Sequence, residues 1–328
     1  MELIGQAVQI LRNGGLVAFP TETVYGLGAD ATNPAAVRRI FAAKGRPPTN
    51  PLIAHIADEE IARRFAADWP DAAAHLAKKF WPGPLTLVVR KTPSIAPEVS
   101  AGRGTVGLRA PDHAVALEML RAFGGAIAAP SANRSTRVSP TTAQHVRDEL
   151  GDAVDLVLDG GACRVGIEST VLDLSGDAPI ILRPGTITRG EIESEIGRVD
   201  AFHGSLDAHR VAASPGQHAI HYAPRAAAYR FSRDDLGTVT RLLADVAEEP
   251  LAMLFVGGAP AGLREIAPNS SIEAPPSPEG YARILYAALR RLDVPGVRAI
   301  LVEMPPDVPE WTAVRDRIAR ATMPLPGE

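Results

Sequence analysis

A single cysteine, Cys163, occurs among the 328 residues. One cysteine cannot close an internal disulfide, so nothing in the chain calls for an oxidising compartment. No apolar run approaches the roughly 20 residues that a membrane-spanning helix needs. Residues 1–12 lack the charged start and apolar core of a signal peptide, and a cytoplasmic location is expected. Positive charge is not in excess. Lys and Arg number 34 against 38 Asp and Glu, a net charge of −4. Residues 1–200 carry 21 against 23, leaving 13 against 15 beyond. Neither part has the basic footprint of a nucleic-acid-binding domain. Also missing are a GxxxxGK[ST] phosphate loop, a GxGxxG between strand and helix, an HExxH and a paired CxxC. A nucleotide site, if present, must be built another way.

What is there is enough chain for about two domains, with 46% apolar and 22% charged residues, as in an ordinary globular protein. Residues 1–203 read as alternating strands and helices, which argues for an α/β sheet. Short connections late in this region make the sheet mixed rather than purely parallel. Asn33-Pro34 reads as a helix start and Gly45 as its end. Ser139 reads as a cap with Pro140 in the first turn, Thr141 with Gln144 being the alternative. Composition shifts near His203. Residues 204–228 have little periodicity and read as a linker, and 229–328 as a second α/β unit with a frayed tail.

Polar residues collect where elements end. The strand at 15–19 runs into "FPTETVYGLGADA", read as a Gly-rich loop whose glycines permit close approach to a ligand. Lys44 and Arg46, with Asn50, suit a polyphosphate, although basic residues are favoured at helix C-termini in any case. His55 lies within an apolar strand and reads as a core residue or a ligand contact. Arg109 ends a strand among apolar neighbours and needs an anionic partner, from the protein or from a ligand. Ser131, Asn133 and Ser139 could form an anion site or simple turn chemistry. Glu168, Ser169 and Thr170 open one strand and Arg183 closes another. Cys163 could be a nucleophile or an inert residue beside a Gly-Gly turn. His218 and His221 lack a matching ligand cluster. Summed, these positions describe a cavity with several cations and many hydroxyls, suited to a ligand that is both phosphorylated and zwitterionic.

"FPTETVYGLGADA", "KGRPPTNPLIAHI", "FWPGPLTLVV", "VGLRAP", "APSANRS", "SPTTAQHV", "GIESTVLDL" and "ILRPG" follow one another in order. Together they resemble the YrdC-type domain of threonylcarbamoyl-AMP synthases, over roughly residues 1–200. The linker "SPGQHAIHYAPR" and the second unit resemble the long form of that family. The resemblance implies a YrdC-like twisted mixed sheet with helices around a concave cavity, and a smaller Rossmann-like α/β C-terminal domain. It implies a nucleotidyltransferase that converts L-threonine, bicarbonate and ATP, with Mg2+ and no organic cofactor, to threonylcarbamoyl-AMP and pyrophosphate. The product would pass to a separate tRNA threonylcarbamoyl transferase complex, without tight tRNA binding and without a membrane. Position by position, the resemblance puts threonine against Thr23, His55, Arg109, Ala129 and Ser169. It puts ATP against Lys44, Arg46, Asn50, Thr105, Ser131, Asn133, Ser139, Arg183, Tyr222 and Arg225. Lys44, Arg46 and Arg109 would carry the catalytic charge, and the linker would form a lid. Glu22 and His55 both stand open as a general base. Rivals are an RNA-binding module, a carbamoyltransferase of the hydrogenase-maturation kind, which carries Cys-rich zinc modules absent here, and a fold without turnover.

Overall fold

The computed structural model describes residues 2–202, 222–237, 250–260 and 270–325, together with Val239 and Leu263. The chain divides into two compact units. The first is Met1–Ser135 with Ser139–Ala219; the second is Thr136–Val138 with Ile220–Glu328.

The first unit is built on a ten-stranded mixed sheet. Its strands are β1 (Val17–Phe19), β2 (Gly26–Asp30), β3 (Ile53–His55), β4 (Leu85–Arg90), β5 (Thr105–Arg109), β6 (Ile127–Ala128), β7 (Leu156–Val157), β8 (Thr170–Asp173), β9 (Ile180–Arg183) and β10 (Asp200–Ala201). They lie in the order β10-β9-β8-β4-β5-β3-β6-β2-β1-β7. Period-two alternation sorts the side chains. Leu85, Leu87 and Val89 of β4, Leu108 of β5, Leu172 of β8 and Ile181 of β9 enter the main core. Helices α2 (Pro34–Lys44), α3 (Glu59–Phe65), α4 (Asp71–Phe80), α6 (Ala143–Leu150) and α7 (Arg189–Ile196) cover that face. The opposite face is covered at its β6-β2-β1 end by α1 (Glu2–Arg12) and α5 (Ala114–Phe123), which bury Val17, Phe19 and Ile127. Over β3, β5, β4, β8 and β9 that face carries His55, Arg109, Thr86, Val88 and Val171 instead.

Local sequence explains most of these elements. Asn33 caps α2 by accepting from Ala35 N and Ala36 N, Pro34 fits its first turn, and Gly45 ends it at φ 58°. Two readings need correction. The glycines of "YGLGADA" do not lie on a loop: Gly26–Asp30 is a strand, paired antiparallel with β1. A Cβ on Gly28 would fall 2.8 Å from Ile127 Cγ2 and 2.9 Å from Phe19 Cε1, so this glycine serves strand packing. Ser139 does not cap a helix: α6 starts later, with Thr142 accepting from His145 N. Pro140 and Thr141 stay extended because Tyr25 N and Cys163 N donate to their carbonyls.

The second unit is a parallel five-stranded sheet in the order β13-β12-β14-β11-β15. Its strands are β11 (Ala227–Phe231), β12 (Leu251–Val256), β13 (Ser271–Ala274), β14 (Ala299–Glu303) and β15 (Met323–Pro324), with helices α8 (Pro278–Leu292) and α9 (Thr312–Ala321). The start of β11 falls inside the stretch read as linker, and Met323–Pro324, at the start of the tail read as frayed, forms the edge strand. Both are too short to carry a pattern of their own. Tyr222 is buried in this unit, its ring 5.4 Å from that of Tyr286 and under the Arg317 guanidinium at 5.6 Å. Most of the linker, with His218 and His221, lies outside the described residues. No helix among the described residues is long and apolar enough to cross a membrane.

Candidate active site

One row of polar side chains crosses five adjacent strands on the face of the first unit's sheet that points away from its main core. Arg183 ends β9; its Nε donates to Ser169 O at 3.1 Å and its Nη2 to Ser169 Oγ at 3.2 Å. Ser169 Oγ lies 2.8 Å from Thr86 Oγ1 on β4. Leu87 pairs with Leu108, which sets Thr86 opposite Arg109 on β5. Arg109 in turn pairs with His55 on β3, and Ala129 N donates to Ile53 O beside it at 2.8 Å. These side chains are buried within the protein. Gly185 lets the chain after Arg183 pass over the row: a Cβ there would sit 2.2 Å from Thr170 N.

Arg109 has its anionic partner in the protein. Its Nη2 lies 2.7 Å from Glu22 Oε2, and the two side chains are 5% and 0% exposed. Nε donates to Gly83 O at 3.2 Å. Glu22 is placed by the loop between β1 and β2. Thr21 Oγ1 accepts from Thr23 N and Val24 N and donates to Val24 O, while Glu22 O accepts from Val165 N at 2.7 Å. Thr23 Oγ1 lies 2.8 Å from Thr21 Oγ1 in the same loop. His55 is pushed down to about 3, by burial first and then by the Arg109 charge, so its ring is neutral near pH 7. Burial pushes the Cys163 thiol up to about 12, which leaves it without thiolate character and resolves that residue as inert.

The cationic loop takes a different form from a row of free phosphate clamps. Lys44, 2% exposed, donates through Nζ to Ser131 O at 2.6 Å and also to Asn133 O. Burial, and then the charge of Arg46, holds its ammonium well below the usual lysine range. Lys44 therefore shapes the 131–135 loop, whose Ser135 N returns a bond to Lys44 O at 2.8 Å. Arg46 closes its own loop by donating to Asn50 O at 3.2 Å and Pro51 O at 3.0 Å, while Asn50 Oδ1 is buried with no hydrogen-bond partner among the described residues. Ser139 Oγ donates to Glu168 Oε1 at 2.6 Å. Thr105 lines a shallow depression with Thr86, Val88, Gly107 and Val171, on the same face as the row. Tyr222 and Arg225 lie in the second unit; Arg225 N donates to Asp293 Oδ2 there at 2.7 Å.

Sequence reasoning missed Thr86 and did not connect Glu168 to Ser139 or Glu22 to Arg109. Thr86 had a signal: it interrupts the apolar run "PLTLVV" at the alternating position that faces away from the core. Among the described residues no three His, Cys, Asp or Glu side chains group as a metal site.

Two family models cover the chain. One, described as "Telomere recombination", matches residues 9–185, and the other, "Threonylcarbamoyl-AMP synthase, C-terminal domain", matches residues 187–322. The threonylcarbamoyl-AMP synthase of Bacillus subtilis is 41% identical over 323 residues, covering 97% of this chain and 92% of that protein. Its namesake from Pyrococcus abyssi is also 41% identical, covering 96% and 93%. The crystal structure of P. abyssi Sua5 complexed with L-threonine superposes with a TM-score of 0.89 at 40% identity, over 97% of this chain and 94% of that one. With two matching domain models and near full-length likeness, the chain belongs to the family of the threonylcarbamoyl-AMP synthases, in the form that carries the additional C-terminal domain.

Proposed function

We propose that this chain is an L-threonylcarbamoyladenylate synthase, a nucleotidyltransferase that makes threonylcarbamoyl-AMP and pyrophosphate from L-threonine, bicarbonate and ATP. The observation that carries the reading is the polar row from Arg183 through Ser169 and Thr86 to Arg109 and His55. Two buried guanidinium groups stand at the ends of a hydroxyl bridge. One suits an amino-acid carboxylate and the other a phosphate, each by charge-assisted hydrogen bonds. The relatives are named for this reaction, and the solved neighbour holds L-threonine.

In this reading threonine lies over Arg109, His55, Ser169, Thr23 and the backbone at Ala129. ATP lies along Arg46, Asn50, Thr105, Ser131, Asn133, Ser139 and Arg183, with Lys44 holding the 131–135 loop. The amine attacks bicarbonate, or the carbon dioxide derived from it, and the resulting N-carboxylate attacks the α-phosphorus and expels pyrophosphate. Arg46 and Arg183 offset the charge that builds there. No covalent enzyme intermediate is needed, so catalysis is positioning and electrostatics. The donor set at hand for a hard cation is one hydroxyl, Ser139, and one carboxylate, Glu168. These two residues would hold the Mg2+ that accompanies the polyphosphate, and the ion would neutralise phosphate charge. The product would serve the threonylcarbamoyl modification of adenosine 37 in tRNA, in the cytoplasm, through a separate transferase.

The test is pyrophosphate release from ATP with threonine and bicarbonate each present or omitted. Release that requires both supports the reading. Release without threonine, or none at all, overturns it.

A further inference from the structure

The ion pair at the centre of the row is incomplete. Arg109 Nη2 and Glu22 Oε2 lie 2.7 Å apart, yet neither atom is aligned for a hydrogen bond, and Glu22 Oε1 has no hydrogen-bond partner among the described residues. Both side chains are buried. A buried pair repays its desolvation only when the remaining donors and acceptors are satisfied. Here the unused capacity is of two kinds: guanidinium donors beyond the Nε that serves Gly83, and a carboxylate oxygen. A zwitterionic α-amino acid offers the matching two, a carboxylate and an ammonium group on neighbouring atoms.

We propose that Glu22 receives the α-ammonium group of the amino-acid substrate and takes its proton, so that Arg109 and Glu22 together hold the two charges of one molecule. This rests on the synthase reading above and assigns the general base within it. The groups facing Glu22 narrow the choice. Arg109 comes from β5 and Cys163 from the loop before β8, while His55 on β3 stands beside Arg109. Burial leaves His55 neutral and Cys163 protonated, so neither carries the negative charge that complements an ammonium ion. Glu22 is the one anionic side chain among these neighbours. Its loop is fixed by the Thr21 hydrogen bonds and the Val165 N to Glu22 O bond, so the carboxylate stands in place before substrate arrives.

The step balances. The threonine ammonium ion, bicarbonate and the Glu22 carboxylate give the N-carboxylate of threonine, water and the Glu22 carboxylic acid. The N–H electron pair becomes the new N–C bond, a C–O bond of bicarbonate breaks, and the proton rests on Glu22. It leaves to solvent after pyrophosphate departs.

The test uses the full chain and the substitution Glu22→Gln, with kcat/KM for threonine measured from pH 7 to 9.5. A positioned base contributes about 10²–10⁴-fold. A loss of about 100-fold or more is expected at pH 7. The deficit relative to wild type should shrink at least tenfold by pH 9.5, where threonine arrives increasingly as the free amine. The KM for ATP should stay within about threefold. A deficit that is constant across the pH range, or no deficit, overturns the proposal. Should the variant fail to fold, wild type supplies the second measurement. 3-Hydroxybutyrate, which lacks the amino group, should compete at least tenfold more weakly than an amine-bearing competitor such as L-serine; equal competition overturns the assignment. The synthase reading fails separately, if wild-type pyrophosphate release proves independent of threonine.

Discussion

In the second unit the carboxylate of Glu303, 1% exposed, accepts from Val256 N at 2.8 Å and pairs with Arg233. Arg317, fully buried, meets Asp316 at 2.8 Å and the ring of Tyr222. In the first unit Glu22 and Arg109 are as deeply buried, yet they face each other without an aligned hydrogen bond, and among the described residues one carboxylate oxygen has no hydrogen-bond partner. Burial is costly for charge in either place. Where it serves the fold, backbone donors and stacked rings complete it. Where spare donors and acceptors persist in a buried pair, they are free to meet the charges of a ligand. The difference between the two units is therefore a functional signal that does not depend on any single motif.

The largest test of that difference is Arg109→Ala. It should lower kcat/KM for threonine by about 10³-fold, roughly 4 kcal/mol of lost transition-state binding. It should also lower the free energy of unfolding by about 3–5 kcal/mol, because Glu22 is left as an unpaired buried charge. Threonine titrations in pyrophosphate release and urea unfolding read the two effects. Unchanged threonine affinity would remove Arg109 from the site and make the first unit's pair as structural as the second's.

His55 provides the next effect, read in stability against pH. Its folded value of about 3 lies below the ordinary 6.5. Between these the unfolded chain binds the extra proton, so stability rises with pH through this window and is lost as pH falls. From pH 7 to pH 5 the loss from this one group is about 2 kcal/mol. Urea midpoints at pH 7, 6 and 5 should show the wild type falling more steeply than His55→Asn. Parallel slopes would mean that the ring is not buried beside Arg109.

Which parts of this were legible in the sequence follows from the range of the forces involved. The helix from Pro34 to Lys44 was readable from Asn33, Pro34 and Gly45, since caps are local chemistry. The site residues stood out as polar groups at strand ends, and the ordered motifs identified the family. The strand Gly26–Asp30 was hidden because its glycines answer to Phe19 and Ile127, the latter a hundred residues away. The Glu22–Arg109 and Ser139–Glu168 pairs were hidden for the same reason: each joins segments separated by 29 residues or more. Lys44 was read as a phosphate ligand because its charge was visible and its two carbonyl partners in the 131–135 loop were not.

Glu303→Gln sharpens the contrast from the other side. The change removes a charge that is matched within the second unit. It should cost about 1.5 kcal/mol of stability, the scale of one hydrogen bond to a charged group, while kcat/KM for threonine stays within about twofold of wild type. A loss of threonine-dependent turnover in a folded Glu303→Gln protein would end the division of labour drawn above.

The smallest effect separates two hydroxyls that the sequence presents alike. Thr142 accepts from His145 N at 3.2 Å and caps α6. Ser139, fully buried three residues earlier, instead donates to Glu168. Thr142→Ala should therefore cost about 1 kcal/mol, a fall in melting temperature of about 2–4 °C for a unit of this size, with the KM for ATP unchanged. Ser139→Ala should leave the helix start intact and raise the KM for ATP, because the proposed ATP site includes its hydroxyl, held by the Glu168 carboxylate. Melting curves and ATP titrations of the two variants give a crossed pattern if the first unit sorts its hydroxyls into scaffold and site. If both variants shift only the melting temperature, Ser139 belongs to the scaffold, and the phosphate path must be carried by Arg46, Asn50 and Arg183 alone.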